Sequence, residues 1–478
     1  MKAAKPLADL IELRIDCLQP NEIDKIDLAY NENYILTFRP KQQGGNRELS
    51  LEERERFWNS GLDSFGADFE EDVVENHFGR LYEPVICSHH DFTGTPGDLM
   101  SIYERIKFAG ANVDVVKIAV QADDITDTIA VWKLLEKAVG ENQSIVPIAM
   151  GEAGKWTRIL GLAHGAFMTY ASLDAESETA PGQVSVRDLR EVYRAAELDG
   201  NTEIYGILGG NTSVSMSPYI HNAAFRHHKL NAVFVPLQTR DLGAFFARMV
   251  RPATREIELN FAGFAVTIPH KETIVDFLDE TDETAGKIGA VNTVVIRDGK
   301  LCGYNTDAAG FIEPLTNSYG DLGGARVAVL GAGGAARACV YALKKAGADV
   351  TVCARDRRKA ETLAGEFAAA VGEFPSADVR APFAGHDILV NTTPLGMKNK
   401  AEGVSPATAE HLRGLQLVYD LVYTPFETAL MREADLAEVP KIGGLAMLIA
   451  QAAAQQKIWT GRDAPGREMS RAALARLA

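Results

Sequence analysis

Lys117 interrupts VDVVKIAV, residues 113–120, a run whose other members read as a strand buried on both faces. An ammonium held there loses its hydration and its pKa falls, so a neutral, nucleophilic amine becomes available near neutral pH. Such an amine suits Schiff-base chemistry on a ketone. The competing reading is a strand-end lysine whose tip reaches solvent. Arg14, Arg39 and Arg158 fall at the ends or loops of different strand-like runs. Aimed at one mouth, they would grip a carboxylate through paired hydrogen bonds. His90, favoured over its neighbour His89 in SHHDF, could carry a proton between a carbon acid and a leaving hydroxyl.

A second group lies further along the chain. SVSMSP offers two hydroxyls, Ser215 and Ser217, suited to a carboxylate; VTIPHK sets Lys271 just past a strand, and NTD sets Asp307 at another strand end. A lysine paired with a carboxylate can protonate an alkoxide as hydride reaches a ketone. GAGGAA, residues 331–336, follows the apolar strand RVAVL and opens a helix, the context in which glycines let a backbone approach a pyrophosphate. The next strand ends CARDRRK, placing Arg355, Arg357, Arg358 and Lys359 where an NAD enzyme would usually carry an acid. Basic groups there suit a 2′-phosphate, hence NADP. Asp356 is discordant, since it either repels that phosphate or faces Arg357.

The elements that must position these groups fall into two styles. From residue 8 to about 172, seven strand-like runs (ADLIELRID, NYILTFRP, GADFEEDVV, EPVICSHHDF, VDVVKIAV, SIVPIAM, GAFMTYAS) alternate with helix-like segments. That alternation predicts repeated βα units around a parallel sheet, one strand short of a (β/α)8 barrel, with an open doubly wound sheet as the competitor. SETAPGQVS reads as a loop, SVRDLREVYRAAEL as a closing amphipathic helix, and DGNTE as a linker. EIYGILGG begins a second strand–loop pattern that reaches about residue 311, and the βαβ pattern of nucleotide binding follows.

With 478 residues and 46% hydrophobic content the chain can build several full cores. A net charge of −16 without any block of basic residues argues against nucleic acid and anionic membranes as partners. Five scattered cysteines lack metal-type spacing and predict neither disulfides nor a metal site. The start, MKAAKPLADLIELRID, lacks the character of a signal or transit peptide, and no apolar run is long enough to span a bilayer, so a cytoplasmic location is expected.

ELRID at 12–16, TFR at 37–39, SHHDF, VVKIA, MGEAGKWTR and TAPGQ together resemble the type I 3-dehydroquinate dehydratase family, in family order. The resemblance implies Lys117 as the Schiff-base lysine and His90 as the general acid/base. It implies Glu12, Arg14, Arg39, Arg158, Thr179 and Gln183 as substrate contacts. Two departures stand out: Gln43 precedes Gly44 and Gly45 where the family usually has glutamate, and no room exists before Asp9 for the family's first strand and helix.

SVSMSP, VTIPHK, GAVNT, YNTD, GAGGA, NTTPLGM, YDLVYTP and GGLAMLIAQ resemble the shikimate dehydrogenase family across 203–478. The resemblance implies Lys271 and Asp307 as the catalytic pair, and Ser215, Ser217, Thr267, Asn292, Tyr423 and Gln451 as substrate contacts. It implies Gly331, Ala332, Gly333, Gly334, Ala335, Arg355, Lys359, Leu421 and Gly444 as NADP contacts. Ala265 stands where the family often has asparagine.

The expected architecture is therefore α/β: a (β/α)8-type barrel lacking its first βα unit over 1–200, then a two-lobed dehydrogenase. Its substrate lobe covers 203–311, completed by C-terminal helices at about 445–478, and a Rossmann lobe covers 312–444. Expected ligands are 3-dehydroquinate, 3-dehydroshikimate, shikimate and NADP, with no metal. Rival readings are a dehydrogenase acting on shikimate or quinate beside an inactive barrel, and a pathway-derived sensor without chemistry.

Overall fold

A computed structural model describes residues 3–19, 22, 33–59, 66–74, 83–109, 113–174, 178–375 and 382–477. The chain forms two compact units: 1–204 with 211–214 and 231–260, and 205–210 with 215–230 and 261–478.

The first unit is built on a parallel sheet whose strands lie side by side in chain order: β1 (Ile11–Arg14), β2 (Tyr34–Thr37), β3 (Gly66–Glu70), β4 (Val85–Asp91), β5 (Val115–Gln121) and β6 (Ser144–Met150). Consecutive parallel neighbours are what successive βα units produce. Helices Leu99–Lys107 and Thr128–Gly140 bury one face each; in the first, Leu99, Ile102, Tyr103 and Ile106 recur at helical spacing. Helix Leu51–Trp58 starts at a reciprocal cap, in which Ser50 Oγ accepts from the Glu53 amide while the Glu53 carboxylate accepts from the Ser50 amide.

The expected incomplete barrel is seen as this half-barrel. The seventh run supplies only the two-residue strand β7 (Ala171–Ser172), paired with β8 (Val184–Ser185), a strand inside the segment expected to be loop. The expected closing helix is not a regular α-helix: a single π-turn, Asp188–Val192, precedes a 3₁₀ turn, Ala195–Glu197. Only Leu189 and Ala195 of those turns are buried, too little apolar surface to hold a long amphipathic helix in place.

A second six-stranded sheet contains β9 (Glu203–Gly209), β10 (Ala232–Gln238), β11 (Phe261–Val266), β12 (Glu280–Thr281), β13 (Thr293–Arg297) and β14 (Lys300–Tyr304), in the order β10-β9-β11-β13-β14-β12. The third contains β15 (Arg326–Leu330), β16 (Asp349–Cys353), β17 (Ala370–Gly372), β18 (Ile388–Asn391), β19 (Leu417–Asp420) and β20 (Lys441–Ile442), in the order β17-β16-β15-β18-β19-β20. Its strand pairs are parallel, and chain order reverses at β15, so a crevice opens past the C-terminal end of that strand, where GAGGAA lies.

Helix Asp307–Tyr319 packs closely on helix Gly444–Thr460 through Gly310, where a Cβ would stand 2.6 Å from the Gln451 amide nitrogen and 2.7 Å from its Cβ. Gly310→Ala is expected to cost about 1–3 kcal/mol by prying these helices apart. Thermal unfolding of the purified variant measures that loss, and steady-state kinetics should show a raised substrate KM as Gln451 shifts.

Candidate active sites

In β5 the side chains of Val115, Lys117 and Ala119 share one face, and Val115 and Ala119 belong to the half-barrel's inner core with Ile35, Ile86, Val146, Ile148 and Met150. Lys117 is therefore carried inward by strand alternation and is only 3% exposed. Its Nζ donates to Asp68 Oδ2 at 2.6 Å and lies 3.9 Å from the centre of the Tyr170 ring. Burial pulls the Lys117 pKa below the ordinary lysine value, and the neighbouring Arg39 acts in the same direction while Asp68 opposes. Burial pushes against ionisation of Asp68, yet Arg39 and Lys117 outweigh it and hold that carboxyl at about 2.

Arg39, just beyond β2, is the hub. Its Nη2 meets Asp68 Oδ2 at 2.7 Å, its Nε donates to Glu70 Oε1 at 3.3 Å, and its Nη1 contacts His90 Nε2 at 2.9 Å. A guanidinium only donates, so Nε2 accepts and His90 is neutral with its proton on Nδ1. Burial, then the charges of Arg39 and Lys117, hold the His90 pKa well below the ordinary histidine value. Gln43, the amide standing in place of a glutamate, accepts from the His90 backbone N–H at 2.9 Å. Arg14 is clamped by both Asp16 oxygens at 2.9 and 2.8 Å and donates to the Gly44 carbonyl. Glu12 accepts from Thr37 Oγ1, and Gln183 Oε1 accepts from the Thr179 amide.

All eight residues expected in this half (Glu12, Arg14, Arg39, His90, Lys117, Arg158, Thr179, Gln183) line one cavity of about 420 Å³. Arg158 is 2% exposed, its Nε has no hydrogen-bond partner, and burial lowers its pKa to about 10. Among the described residues it forms no ion pair with a carboxylate, although the charge of Glu178 reaches it, so a buried cation lines the cavity. Sequence reasoning missed Tyr170, which lies just before the two-residue strand β7, and Asp68, whose run GADFEEDVV holds four acids without marking which turns inward.

In the second unit Lys271 Nζ meets Asp307 Oδ2 at 2.5 Å. Asp307 begins a helix rather than ending a strand, three residues past β14. Asn292 Nδ2 donates to Asp307 Oδ1 at 2.8 Å and to Thr306 Oγ1 at 2.9 Å, and approaches Gln451 Oε1 at 3.4 Å. Four expected residues thus form one network, buried except at Lys271, which is partly exposed. Ser215 Oγ accepts from the Ser217 amide, and Met216 between them packs in a cluster with Ala452 and the partly buried Tyr423. Thr267 stands apart from these bonds: it is half-buried, and its amide donates to the Leu208 carbonyl.

The glycine turn has the shape a dinucleotide needs. Gly331 has φ +115°, and a Cβ there would lie 2.4 Å from Thr392 Oγ1. Gly333 caps the twelve-residue helix Gly334–Lys345 without any side-chain hydrogen bond and has open space where a Cβ would stand, so the first-turn amides are free to meet a phosphate. Gly444 lies 2.2 Å, measured from its would-be Cβ, from the Leu421 carbonyl oxygen, joining those two expected contacts. Arg355, Arg358 and Lys359 are exposed, whereas Arg357 pairs with Glu361 at 2.9 Å. Asp356 accepts from the amides of Arg358 and Lys359 as the cap of helix Arg357–Phe367, so its charge is engaged by backbone rather than opposing a phosphate.

Profiles of four families match: type I 3-dehydroquinase over 1–199, the shikimate dehydrogenase substrate binding domain over 207–294, shikimate/quinate 5-dehydrogenase over 315–399, and the shikimate 5′-dehydrogenase C-terminal domain over 444–474. The bifunctional 3-dehydroquinate dehydratase/shikimate dehydrogenase, chloroplastic, of Arabidopsis thaliana is 35% identical over 97% of this chain and 79% of its own. The chain belongs to the bifunctional 3-dehydroquinate dehydratase/shikimate dehydrogenase family. For the dehydrogenase half alone, the shikimate dehydrogenase (NADP(+)) of Salinibacter ruber is 42% identical, covering 56% of this chain and 95% of its own. A crystal structure of a shikimate dehydrogenase in complex with NADP+ superposes with a TM-score of 0.53 at 36% identity, covering 59% of this chain and 98% of that one. Among the described residues no helix of this family member is long and apolar enough to cross a membrane.

Replacing Arg158 with methionine separates binding from stability. Removing an unpaired buried cation should leave the first unit as stable or about 1 kcal/mol more stable, while dehydratase KM is expected to rise about 100-fold if this cation binds the substrate carboxylate. Thermal unfolding together with steady-state kinetics on 3-dehydroquinate checks both directions.

Proposed function

We propose that the half-barrel cavity dehydrates 3-dehydroquinate to 3-dehydroshikimate through an imine on Lys117, and that the Lys271–Asp307 centre reduces this product to shikimate with NADPH. The observation that carries the first step is a buried lysine of lowered pKa in a cavity that also presents a neutral histidine and an unpaired arginine. The dehydratase half is placed at 1–200, the substrate lobe at 203–311 with the helices after about 445, and the nucleotide lobe at 312–444.

Arg158 takes the ring carboxylate, while Glu12, Arg14, Thr179 and Gln183 take the hydroxyls around it. The Lys117 amine adds to the C3 ketone, and loss of water gives a protonated imine that acidifies the neighbouring C2 hydrogen. The ring face of Tyr170 under Nζ favours that cation. His90 Nε2 is the better-placed base once Arg39 turns from it to the substrate, and the same imidazole then protonates the departing C1 hydroxyl. Hydrolysis of the imine frees the product.

NADPH, when bound, supplies hydride to the ketone of 3-dehydroshikimate. Ser215 and Ser217 take its carboxylate, and Thr267, Asn292, Tyr423 and Gln451 orient its ring. Lys271 Nζ holds the proton for the developing alkoxide, Asp307 fixes Nζ, and Asn292 fixes Asp307. Gly331 to Ala335 receive the pyrophosphate, Leu421 and Gly444 the nicotinamide end, and Arg355 and Lys359 the 2′-phosphate.

Lys117→Met should lower dehydratase turnover by about three orders of magnitude or more and leave dehydrogenase activity intact; Lys271→Ala should do the reverse. Borohydride reduction with 3-dehydroquinate, followed by peptide mass mapping, should find the adduct on Lys117, and its absence would refute the imine route. Arg355→Ala combined with Lys359→Ala should raise the KM for NADP about tenfold or more while leaving that for NAD nearly unchanged, measured with shikimate as substrate. The same assay with quinate separates the two polyol acids as substrates.

A further inference from the structure

Six charged groups of alternating sign connect the protein surface to Lys117. Asp72 Oδ2 pairs with Arg54 Nη2 at 2.6 Å, Arg54 Nη1 with Glu70 Oε2 at 3.2 Å, Glu70 Oε1 with Arg39 Nε at 3.3 Å, Arg39 Nη2 with Asp68 Oδ2 at 2.7 Å, and Asp68 Oδ2 with Lys117 Nζ at 2.6 Å. Asp72 is half exposed at 51%, whereas the side chains of the other five are at most 6% exposed. Neither Glu70 nor Arg54 lines the cavity. Two ions placed so deep, outside the substrate's reach, carry a desolvation cost that a pair of apolar side chains would avoid.

Their effect falls on Arg39. Without Glu70 its guanidinium would keep one carboxylate in direct contact, Asp68, and would turn more fully toward it. Glu70 draws Nε to the other side and, with Arg54 bracing its second oxygen, fixes the guanidinium plane so that one Nη reaches Asp68 while the other reaches His90. We propose that Glu70 and Arg54 are positioning residues for the dehydratase reaction, which together hold Arg39 in the pose that shares Asp68 with Lys117 and releases His90 when substrate arrives. This rests on the reading of Lys117 and His90 given above.

Glu70 also makes the device pH-sensitive. The charged groups facing it are Arg39 and Arg54, with Asp68 as a like charge; burial raises its pKa to about 7 against the pull of both arginines. A raised carboxyl is protonated below that value and ionised above it, so the brace on Arg39 acts above about neutral pH and slackens below.

The test is the pH profile of kcat/KM for 3-dehydroquinate in the full chain, compared with Glu70→Gln. The variant should lose about tenfold at about pH 8–9 and differ little from the parent at about pH 6, because the parent has itself lost the charge there. Dehydrogenase activity of the same polypeptide should be unchanged, and borohydride should still trap an adduct on Lys117. Arg54→Met should reproduce the alkaline loss and Arg54→Lys should restore part of it, which keeps the proposal testable if Glu70→Gln does not fold. An unchanged kcat/KM at about pH 8–9, or an equal loss at every pH, overturns the proposal. Failure of the underlying site reading shows differently, as dehydratase activity surviving in Lys117→Met.

Discussion

One buried contact, between the Lys117 amine and the Asp68 carboxylate, sets the terms for the half-barrel. Asp68 makes burial of the lysine tolerable, but a carboxylate wholly given to the amine would keep it protonated and inert. Arg39 eases the conflict by taking a share of the same oxygen and adding its own repulsion at Nζ to the larger effect of burial, which pulls the amine toward its neutral form. The arrangement depends on sheet register: Thr37 lies opposite Asp68, and Ser88 opposite Lys117. A slip of one residue in β3 would turn Asp68 to the outer face and leave Lys117 without its counter-ion.

The dehydrogenase half meets a related problem with a neutral group. Lys271 and Asp307 form an ion pair, and an amide, Asn292, supplies the second bond to the carboxylate while accepting from Thr306 and Thr293. Every polar atom of the Asn292 side chain is thereby engaged, which fixes Asp307 without adding a charge. The two centres share a lysine and an aspartate, yet their surroundings differ: a half-barrel interior crowded with ions in one, and a polar network in the other.

Much of this was legible in the chain. Strand-like alternation and the position of Lys117 in an apolar run indicated a parallel sheet with an inward amine, and eight separate residues from six short strings meet in one cavity. GAGGAA was readable because glycine spacing and a preceding strand encode backbone geometry directly. What escaped depends on side-chain direction and long-range pairing. Nothing local distinguishes Asp68 and Glu70, which turn inward, from Asp72, which reaches solvent, in an acid-rich run. The short β7–β8 pair and the broken helix after it escaped because tertiary closure, not periodicity, shapes them. Asp356 was misjudged for a simpler reason: charge was considered before its place at a helix start.

Gly334, the third glycine of the phosphate turn, leaves room for the aliphatic stem of Lys271: a Cβ at 334 would stand 3.1 Å from the lysine Cβ. The turn proposed to receive the dinucleotide and the side chain proposed to hand over the proton are thus close neighbours. A side chain introduced at 334 would therefore crowd the Lys271 stem, whereas the exposed basic residues after β16 can be altered without touching it.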